Sequence, residues 1–223
     1  MFIHEKIEFE DLQATNVDGK RLYQTPDGKV YPSVTTITGL HSKDAILAWR
    51  KRVGEAEANK ISGKAANRGT KVHKMCEDYL NNELNLNAHL PNSVALFKQI
   101  QPYIDKYVGV VYGIECPLYS DHLRVAGRTD CIAMFDGKPA VVDFKTASKP
   151  KNEDFILNYF MQCSAYAVMF EERTGIAIPR IAILVAVEGD QPQLFVKKRD
   201  SYIDAFISYR KKYDELDKQT LID

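Results

Sequence analysis

The segment 127–146 most constrains the fold, because it predicts two strands joined by an Asp-Gly turn at 136–137. Asp-Gly between two runs of alternating apolar residues is a strong hairpin signal. Side chains alternate along the second strand, so Asp143 and Lys145 point to the same face. Asp130 comes alongside Asp143 when the hairpin closes. We therefore expect two carboxylates and one ammonium in a single patch among apolar residues.

Such a patch favours a metal site. Two neighbouring carboxylates repel each other, and burial raises the cost of keeping both ionised. A divalent cation removes this conflict, since carboxylate oxygens suit Mg²⁺ or Mn²⁺. The alternative is a surface ion pair, Asp143 with Lys145 or Asp130 with Arg128, which contributes little to stability. The hairpin alone leaves both interpretations open.

Length and charge limit the classes of protein to which the chain can belong. With 223 residues the chain can form one domain, or one core with a small subdomain. Its 30 basic and 30 acidic residues cancel, so the net charge predicts no partner. Locally, segment 43–74 holds nine Lys or Arg against three Asp or Glu, and segment 197–212 holds six against two. These excesses suit a groove for a polyanion, and they equally suit solvated helix faces.

No apolar run is long enough to span a membrane, and the acidic N-terminal segment lacks a signal-peptide pattern. We therefore expect a cytoplasmic protein without a membrane partner. The four cysteines are scattered and include no Cys-x-x-Cys pair, which argues against zinc knuckles and a disulfide framework. We expect them to be reduced and buried as small hydrophobes: Cys76, Cys116, Cys131 and Cys163.

The first 62 residues predict a small β-ribbon and a basic helical extension. Strands near 20–24 and 29–31 flank a Pro-Asp-Gly turn, and Ser33 is placed to cap a short helix that ends at Gly39. A second helix is expected over 44–60, with Trp49 on its apolar stripe. That position predicts a core Trp49, with nucleobase stacking as the alternative.

A third helix is predicted over 64–82, because its apolar residues recur at helical spacing: Val72, Met75, Cys76, Tyr79 and Leu80. His73 and Glu77 are four residues apart along one edge of that buried face. They are placed to reach a neighbouring sheet, although such a pair is also common as a surface contact.

The remainder, residues 63–223, predicts a core of alternating helices and strands. A helix over 92–107 precedes strands at 108–120 and 123–135 and the hairpin, with an interruption expected at Glu115. A long helix from Asn152 to Gly175 is apolar almost all round, including Phe155, and should pack across the sheet. Two strands at 180–187 and 193–197 and a basic helix over 200–216 follow. The order indicates an α/β fold, a central mixed sheet flanked by helices.

Four short motifs occur in an order and spacing that resemble the PD-(D/E)XK nuclease superfamily, and within it the RecB-type exonuclease branch. They cover residues 64–187: Arg68-Gly69-Thr70-Lys71-Val72-His73 with Glu77, Gly127-Arg128-Thr129-Asp130, Asp143-Phe144-Lys145-Thr146, and Gln162 with Tyr166. The segment 31–35 with Trp49 is also similar to mitochondrial genome maintenance exonucleases and their phage relatives. The acidic start favours a phage or bacterial member, in a bacterial or phage-infected cell.

The resemblance implies a restriction-endonuclease-like core that hydrolyses DNA phosphodiesters with Mg²⁺ or Mn²⁺. Asp130, Asp143 and the backbone carbonyl of Phe144 would bind the metal, with His73 or Glu77 contributing from the helix. Lys145 would position the attacking water or act as general base, and Gln162 and Tyr166 would orient the water. The implied DNA contacts are Arg68, Arg124, Arg128, Tyr31, Ser33, Trp49 and Arg50, for which surface ion pairing or core packing is the alternative. The cysteines lie inside the core, so we expect no iron–sulfur cluster.

The function expected from this resemblance is a metal-dependent exonuclease on single-stranded DNA ends, with little sequence preference. A flap endonuclease and a catalytically silent nucleic-acid-binding module of the same fold are the alternatives. A small-molecule enzyme lacks support, since the chain has no Gly-rich phosphate loop or nucleophile elbow. The sequence leaves the oligomeric state open.

Overall fold

The computed structural model describes residues 1–220 and begins with a small three-stranded antiparallel sheet. Its strands are β1 (Gln13–Val17), β2 (Lys20–Gln24) and β3 (Val30–Pro32). The ribbon formed by β2 and β3 confirms the prediction, whereas β1 was not predicted. Asp18 and Gly19 turn the chain between β1 and β2 with positive φ angles of 50° and 74°. Short polar residues tolerate this conformation, which is why the turn closes there.

Three helices follow: α1 (Val34–Gly39), α2 (Lys43–Val53) and α3 (Glu55–Leu80). The Ser33 side chain accepts a hydrogen bond from the Thr36 N–H and caps α1, as predicted. The predicted boundary between the second and third helices is wrong. Gly54, with φ 86°, breaks the chain early, and α3 then runs unbroken through 61–63. The division proposed between residues 62 and 63 therefore lies inside α3.

Residues 43–67, here called the helical arm, project from the core. Apart from Trp49, Arg50, Val53 and Ala58, every residue of the arm is exposed. Ile46 and Leu47 are each 48% exposed, and α2 buries no residue. The prediction that the apolar stripe of α2 with Trp49 lies in the core is wrong, because α2 packs against the exposed first half of α3 rather than against the sheet.

The central sheet has five strands in spatial order β4-β5-β6-β7-β8, with β6 and β7 parallel and all other pairs antiparallel. The remaining elements are α4 (Pro91–Tyr107), β4 (Val108–Ser120), β5 (Val125–Phe135), β6 (Lys138–Ala147), α5 (Leu157–Thr174), β7 (Arg180–Val187), β8 (Gln193–Lys198) and α6 (Ile203–Thr220). Residues 221–223, the end of the proposed core, lie outside the described residues. The mixed α/β fold with a small N-terminal sheet confirms the predicted fold class.

Helices cover both faces of the central sheet. On one face α5 packs against apolar residues such as Ile132, Val141 and Ile183, and α6 packs against α5 and α1. On the other face α3 and α4 pack against residues such as Ala133, Val142 and Leu184. The four cysteines are free and buried, as expected of small core residues. None of the helices within residues 1–220 is long and apolar enough to cross a bilayer.

The start of α5 departs from the sequence prediction. Asn152 caps a single 3₁₀ turn over Glu153–Phe155, and α5 itself begins only at Leu157. Phe155 is 78% exposed, so its predicted packing across the sheet is wrong. Its neighbour Ile156 is buried instead, because the change from 3₁₀ to α geometry rotates Phe155 outward. At the other end Gly175 takes a left-handed φ of 74° and terminates the helix as predicted.

The strand β4 is irregular where the sequence predicted an interruption. Its register against β5 shifts between Val111 and Gly113, and Glu115 has a left-handed φ of 50°. The irregular backbone brings the Cys116 side chain over Gly113, where a Cβ atom would lie 2.1 Å from Cys116 Sγ. Gly113 is therefore required by a close approach rather than by its own φ angle.

Gly113→Ala is expected to lower the free energy of unfolding by about 1–3 kcal/mol, because the new methyl group overlaps Cys116 Sγ. Cys116→Ala removes that sulfur and leaves Cys116 Cβ 3.9 Å away. The double variant should therefore be more stable than the summed single losses predict, by at least about 0.5 kcal/mol. Urea unfolding of the four proteins measures this coupling, and strictly additive losses would contradict it.

Candidate active site

The candidate site lies at a fork between β5 and β6. Cys131 opposite Val142 is the last pair of their ladder, and the next pair in register would be Asp130 with Asp143. Beyond that point β6 continues beside β7 alone. The Phe144 N–H donates to Asp130 Oδ2 at 2.8 Å, so a carboxylate replaces the missing ladder acceptor. The predicted approach of the two acidic residues is thus produced by the register of the hairpin.

Lys145 completes the patch on the same strand. Its Nζ lies 2.5 Å from Asp143 Oδ2, and Asp143 is only 2% exposed. Gln162 Nε2 donates to Asp143 Oδ1 at 3.4 Å. Although Asp143 Oδ2 touches the ammonium, no donor meets it in hydrogen-bonding geometry within the described residues. The site therefore contains a buried carboxylate oxygen that is incompletely satisfied.

Burial and charge oppose each other in this patch. Burial raises the pKa of Asp143, with Asp130 acting in the same direction, and Lys145 only partly offsets this. Burial would lower the pKa of Lys145, but the carboxylates of Asp143 and Asp130 outweigh it and raise that pKa. A general-base role for Lys145 would require a lowered pKa, and a nearby bound cation would be needed to lower it. Without one, the ammonium form is favoured.

His73 reaches the patch from α3. Its Nδ1 lies 3.3 Å from Asp130 Oδ2. Burial opposes charging of the imidazole, yet Asp130 raises the His73 pKa overall, and His73 lowers that of Asp130 against the effect of burial. Glu77, one turn further along α3, is paired with Lys74 at 2.9 Å. Of the two predicted helix ligands, His73 is the one in contact with a strand carboxylate.

Residues of α5 close the site from the opposite face. Gln162 contacts Asp143, whereas Tyr166 is only 3% exposed and packs behind β5. A Cβ atom at Gly127 would lie 2.6 Å from the Tyr166 hydroxyl, which accounts for the glycine in the Gly-x-x-Asp motif. In this position Tyr166 supports the strand that carries Asp130. Direct contact with a substrate would require movement of the strand or of Tyr166.

The predicted DNA-contacting arginines all have carboxylate partners. Arg68 Nη1 pairs with Glu188 at 2.5 Å, and Arg68 Nε donates to Thr146 Oγ1 at 3.2 Å, next to Lys145. The other three arginines pair elsewhere: Arg124 with Asp214, Arg128 with Asp11, and Arg50 with Glu55. Arg68 is therefore the arginine that the structure ties to the strand carrying Asp143 and Lys145.

Three further predicted contacts have structural roles. The Tyr31 hydroxyl donates to Asp121 Oδ1 at 2.7 Å, and burial followed by this bond raises the pKa of Tyr31 to about 12. The Ser33 hydroxyl oxygen caps α1, and Trp49 is half-buried on the helical arm. None of these contacts includes the Asp130 or Asp143 carboxylate.

Two residues near the patch were not predicted as site residues. Tyr159 on α5 places its ring centroid 5.3 Å from Lys145 Nζ, and its position three residues before Gln162 on the same helix could have indicated this. Glu115 on β4 lies opposite Asp130, since the flanking pairs are Ile114 with Cys131 and Cys116 with Thr129. No motif marks Glu115, whose backbone has a left-handed φ of 50°.

The donor set suits a hard divalent cation. Asp130 and Asp143 supply carboxylate oxygens, and the Phe144 peptide lies against Asp130. The incompletely satisfied Asp143 Oδ2 provides a buried acceptor for such an ion. Within residues 1–220, no three His, Cys, Asp or Glu side chains converge as a ready-made metal site. A cation would therefore have to displace the Lys145 and His73 contacts, which now neutralise the carboxylates.

A family model of the PD-(D/E)XK nuclease superfamily matches residues 44–217. The chain belongs to this superfamily, as its motifs predicted. It is 26% identical over 107 residues to mitochondrial genome maintenance exonuclease 1 of Mus musculus, a match that covers 46% of this chain and 32% of the mouse protein. The match thus spans about a third of that relative's length.

A solved structure from Eubacterium rectale, of a protein with a provisional exonuclease name, is similar at a TM-score of 0.43 and 14% identity. The match covers 70% of this chain and 66% of that chain.

His73→Gln is expected to remove a pH-dependent part of the stability of the metal-free protein. The folded-state pKa of His73 is raised above its ordinary 6.5. The stabilisation it provides is therefore full below about pH 6.5 and is lost as the pH rises through the folded pKa. In EDTA, the difference in unfolding free energy between wild type and His73→Gln should shrink from pH 5.5 to pH 9.

The exposed His122→Gln variant serves as the control for loss of an imidazole elsewhere on the surface. If the unfolding free energy of wild type exceeded that of His73→Gln by more at high pH than at low pH, the pH dependence would have the opposite sign. That result would exclude the His73–Asp130 ion pair as the source of the difference.

Proposed function

We propose that this protein is a divalent-cation-dependent deoxyribonuclease that removes nucleotides from single-stranded DNA ends. The single observation that carries the proposal is the buried cluster of Asp130, Asp143 and Lys145 at the fork in the sheet. Ion pairs buried this deeply rarely stabilise a fold more than apolar residues of the same volume. A catalytic requirement explains why the cluster exists, and membership of a nuclease superfamily supports that explanation.

When bound, Mg²⁺ or Mn²⁺ would polarise the scissile phosphate, lower the pKa of a bound water and stabilise charge on the leaving oxygen. Asp130 and Asp143 would hold this ion with the Phe144 carbonyl, and His73 would orient Asp130. Gln162 holds Asp143 in place through its amide. Lys145 would donate a hydrogen bond to the attacking water beside Asp143. The general-base role would require the cation to lower the raised pKa of Lys145.

We propose that the helical arm contacts the DNA backbone, and that residues 1–62 form an extension to a nuclease core over 63–223. Lys51 and Arg52 of the arm are exposed, and neither side chain has an ion-pair partner among residues 1–220. The arm continues through α3 to Arg68 and His73. A DNA strand lying along the arm would therefore lead to the carboxylate of Asp130. Contacts to phosphates do not distinguish one base from another, so we expect cleavage with little sequence preference.

The exonuclease mode is supported by the similarity to the mouse exonuclease and by the motif resemblance, and the preference for single strands by the motif resemblance alone. A flap endonuclease would use the same site between β5 and β6. A silent binding module would keep the fold without cutting DNA. The complete set of Asp130, Asp143 and Lys145 favours a catalyst over the silent module. A reducing cytoplasm of a bacterial or phage-infected cell suits the four free, buried cysteines.

Lys145→Ala is expected to bind single-stranded DNA but to lose cleavage by at least about a hundredfold, since the group next to the attacking water is removed. End-labelled single- and double-stranded DNA with Mg²⁺, Mn²⁺ or EDTA provides the assay. Lys211→Ala, an exposed lysine on α6, should cut like wild type. Undiminished cutting by Lys145→Ala would remove Lys145 from the mechanism, and cutting in EDTA would remove the cation.

Circular single-stranded DNA separates the two catalytic alternatives. An exonuclease should leave the circle intact while degrading a linear strand of the same sequence, whereas an endonuclease opens both. A metal-independent binding curve with no product from any of these substrates would support the silent module instead.

The double variant Lys51→Ala/Arg52→Ala should weaken single-stranded DNA binding and reduce the slope of log K against log salt by about one to two, because fewer counterions are released. The matched variant Lys211→Ala/Lys212→Ala removes two exposed charges from α6. Fluorescence anisotropy at several salt concentrations measures both. A larger effect from the α6 pair would place the DNA on α6 rather than on the arm.

A further inference from the structure

Helix α5 contacts both members of the Asp143–Lys145 ion pair, each through a different side chain. Gln162 Nε2 donates to Asp143 Oδ1 at 3.4 Å. Tyr159 lies three residues earlier on the same side of α5, and the Lys145 ammonium lies over its ring, with Nζ 5.3 Å from the ring centroid. The two charges on β6 are therefore held from α5 at two separate points. Of these two α5 residues, only Gln162 belongs to a motif of the family.

The contact between Tyr159 and Lys145 has the geometry of a cation–π interaction. The face of an aromatic ring carries a negative partial charge that attracts an ammonium within about 6 Å of the ring centroid, and the attraction strengthens where water is excluded. Tyr159 is half-buried, and the Lys145 side chain is only 18% exposed. Because the carboxylates of Asp143 and Asp130 raise the pKa of Lys145, its side chain carries the positive charge that this contact requires.

The ring matters most for the state in which a metal ion is bound. Lys145 Nζ lies 2.5 Å from Asp143 Oδ2, and Lys145 has no other hydrogen-bond or ion-pair partner among the described residues. A divalent cation held by Asp143 competes for that oxygen, so the ammonium at the end of its flexible stem loses its closest partner. An aromatic ring is not a ligand that Mg²⁺ or Mn²⁺ prefers, so the contact with Tyr159 can persist.

We propose that Tyr159 is a positioning residue that holds the Lys145 ammonium beside the site while a divalent cation occupies Asp143. This inference rests on the proposed function, in which Asp143 holds the cation and Lys145 donates a hydrogen bond to the attacking water. Tyr159 acts through Lys145 and contacts neither the DNA nor the water. A weaker attraction by the ring should therefore slow cleavage at saturating DNA and leave DNA binding unchanged.

Ring fluorination separates this role from simple packing, because Tyr159 also packs against the apolar cluster under α5. Tyr159→Phe keeps the ring, and the same variant with one, two or three ring fluorines keeps nearly the same size while the negative charge of the ring face decreases. Tyr159→Phe should cut like wild type, and kcat should then fall stepwise by about threefold to tenfold over the series, with KM unchanged.

The matched control introduces the same series at Tyr112, a half-buried residue on β4 whose ring contacts no cation within residues 1–220. Its kcat should stay constant. A constant kcat over the Tyr159 series, with normal cleavage by wild type, would show that the ring serves packing alone. That result would overturn the proposal and leave the proposed nuclease intact.

Nuclear magnetic resonance of ¹³C-labelled lysine follows the same contact without using cleavage. Protons over the face of an aromatic ring resonate upfield, so the Lys145 ε-methylene signal, assigned by its absence in Lys145→Ala, should lie upfield of exposed lysines such as Lys211. The signal should remain upfield at saturating Mg²⁺ and lose this shift in Tyr159→Leu.

A Lys145 signal that moves to the position of the exposed lysines when Mg²⁺ binds would overturn the proposal, whatever the cleavage rate. A wild-type protein that neither cuts DNA nor changes its spectrum with Mg²⁺ would overturn the proposed function, and this inference with it.

Discussion

The structure depends on the hydrogen bond from the Phe144 N–H to Asp130 Oδ2. At this point β5 leaves β6, and a backbone donor in the interior would otherwise lose its partner at a cost of about 1–3 kcal/mol. The carboxylate satisfies the donor while the two strands separate. The resulting gap gives access from both faces of the sheet: His73 contacts Asp130 from α3, and Gln162 contacts Asp143 from α5. The same bond therefore maintains the fold and opens the site.

The charges at the fork are balanced but not well satisfied. Lys145 neutralises Asp143 and His73 neutralises Asp130, yet one oxygen of Asp143 lacks an aligned donor. A protein selected for stability alone would gain by replacing such a group with apolar residues. The surrounding architecture instead preserves it: Tyr166 packs against Gly127 behind the strand that bears Asp130, and Arg68 ties the start of the α3 motif to Thr146.

Local signals predicted much of this arrangement. The Asp-Gly turn set the register that brings Asp130 beside Asp143, because a tight hairpin leaves no freedom in strand pairing. Ser33 and Gly175 marked helix ends through hydrogen bonds and backbone angles that depend only on neighbouring residues. The boundary between α2 and α3 was less predictable, because more than one glycine could end the helix. The chain breaks at Gly54, where φ is 86°, and continues helically through Gly63.

By itself the sequence determined the mixed α/β fold, the pairing of the two acidic strand residues with Lys145, and the nuclease family. Each of these follows from periodicity, turn chemistry or motif order along the chain. Only the tertiary structure decided that the apolar side chains of α2 and Phe155 face outward, and that Tyr166 is enclosed behind β5. Those outcomes depend on which surfaces meet in space, and no spacing along the chain records them.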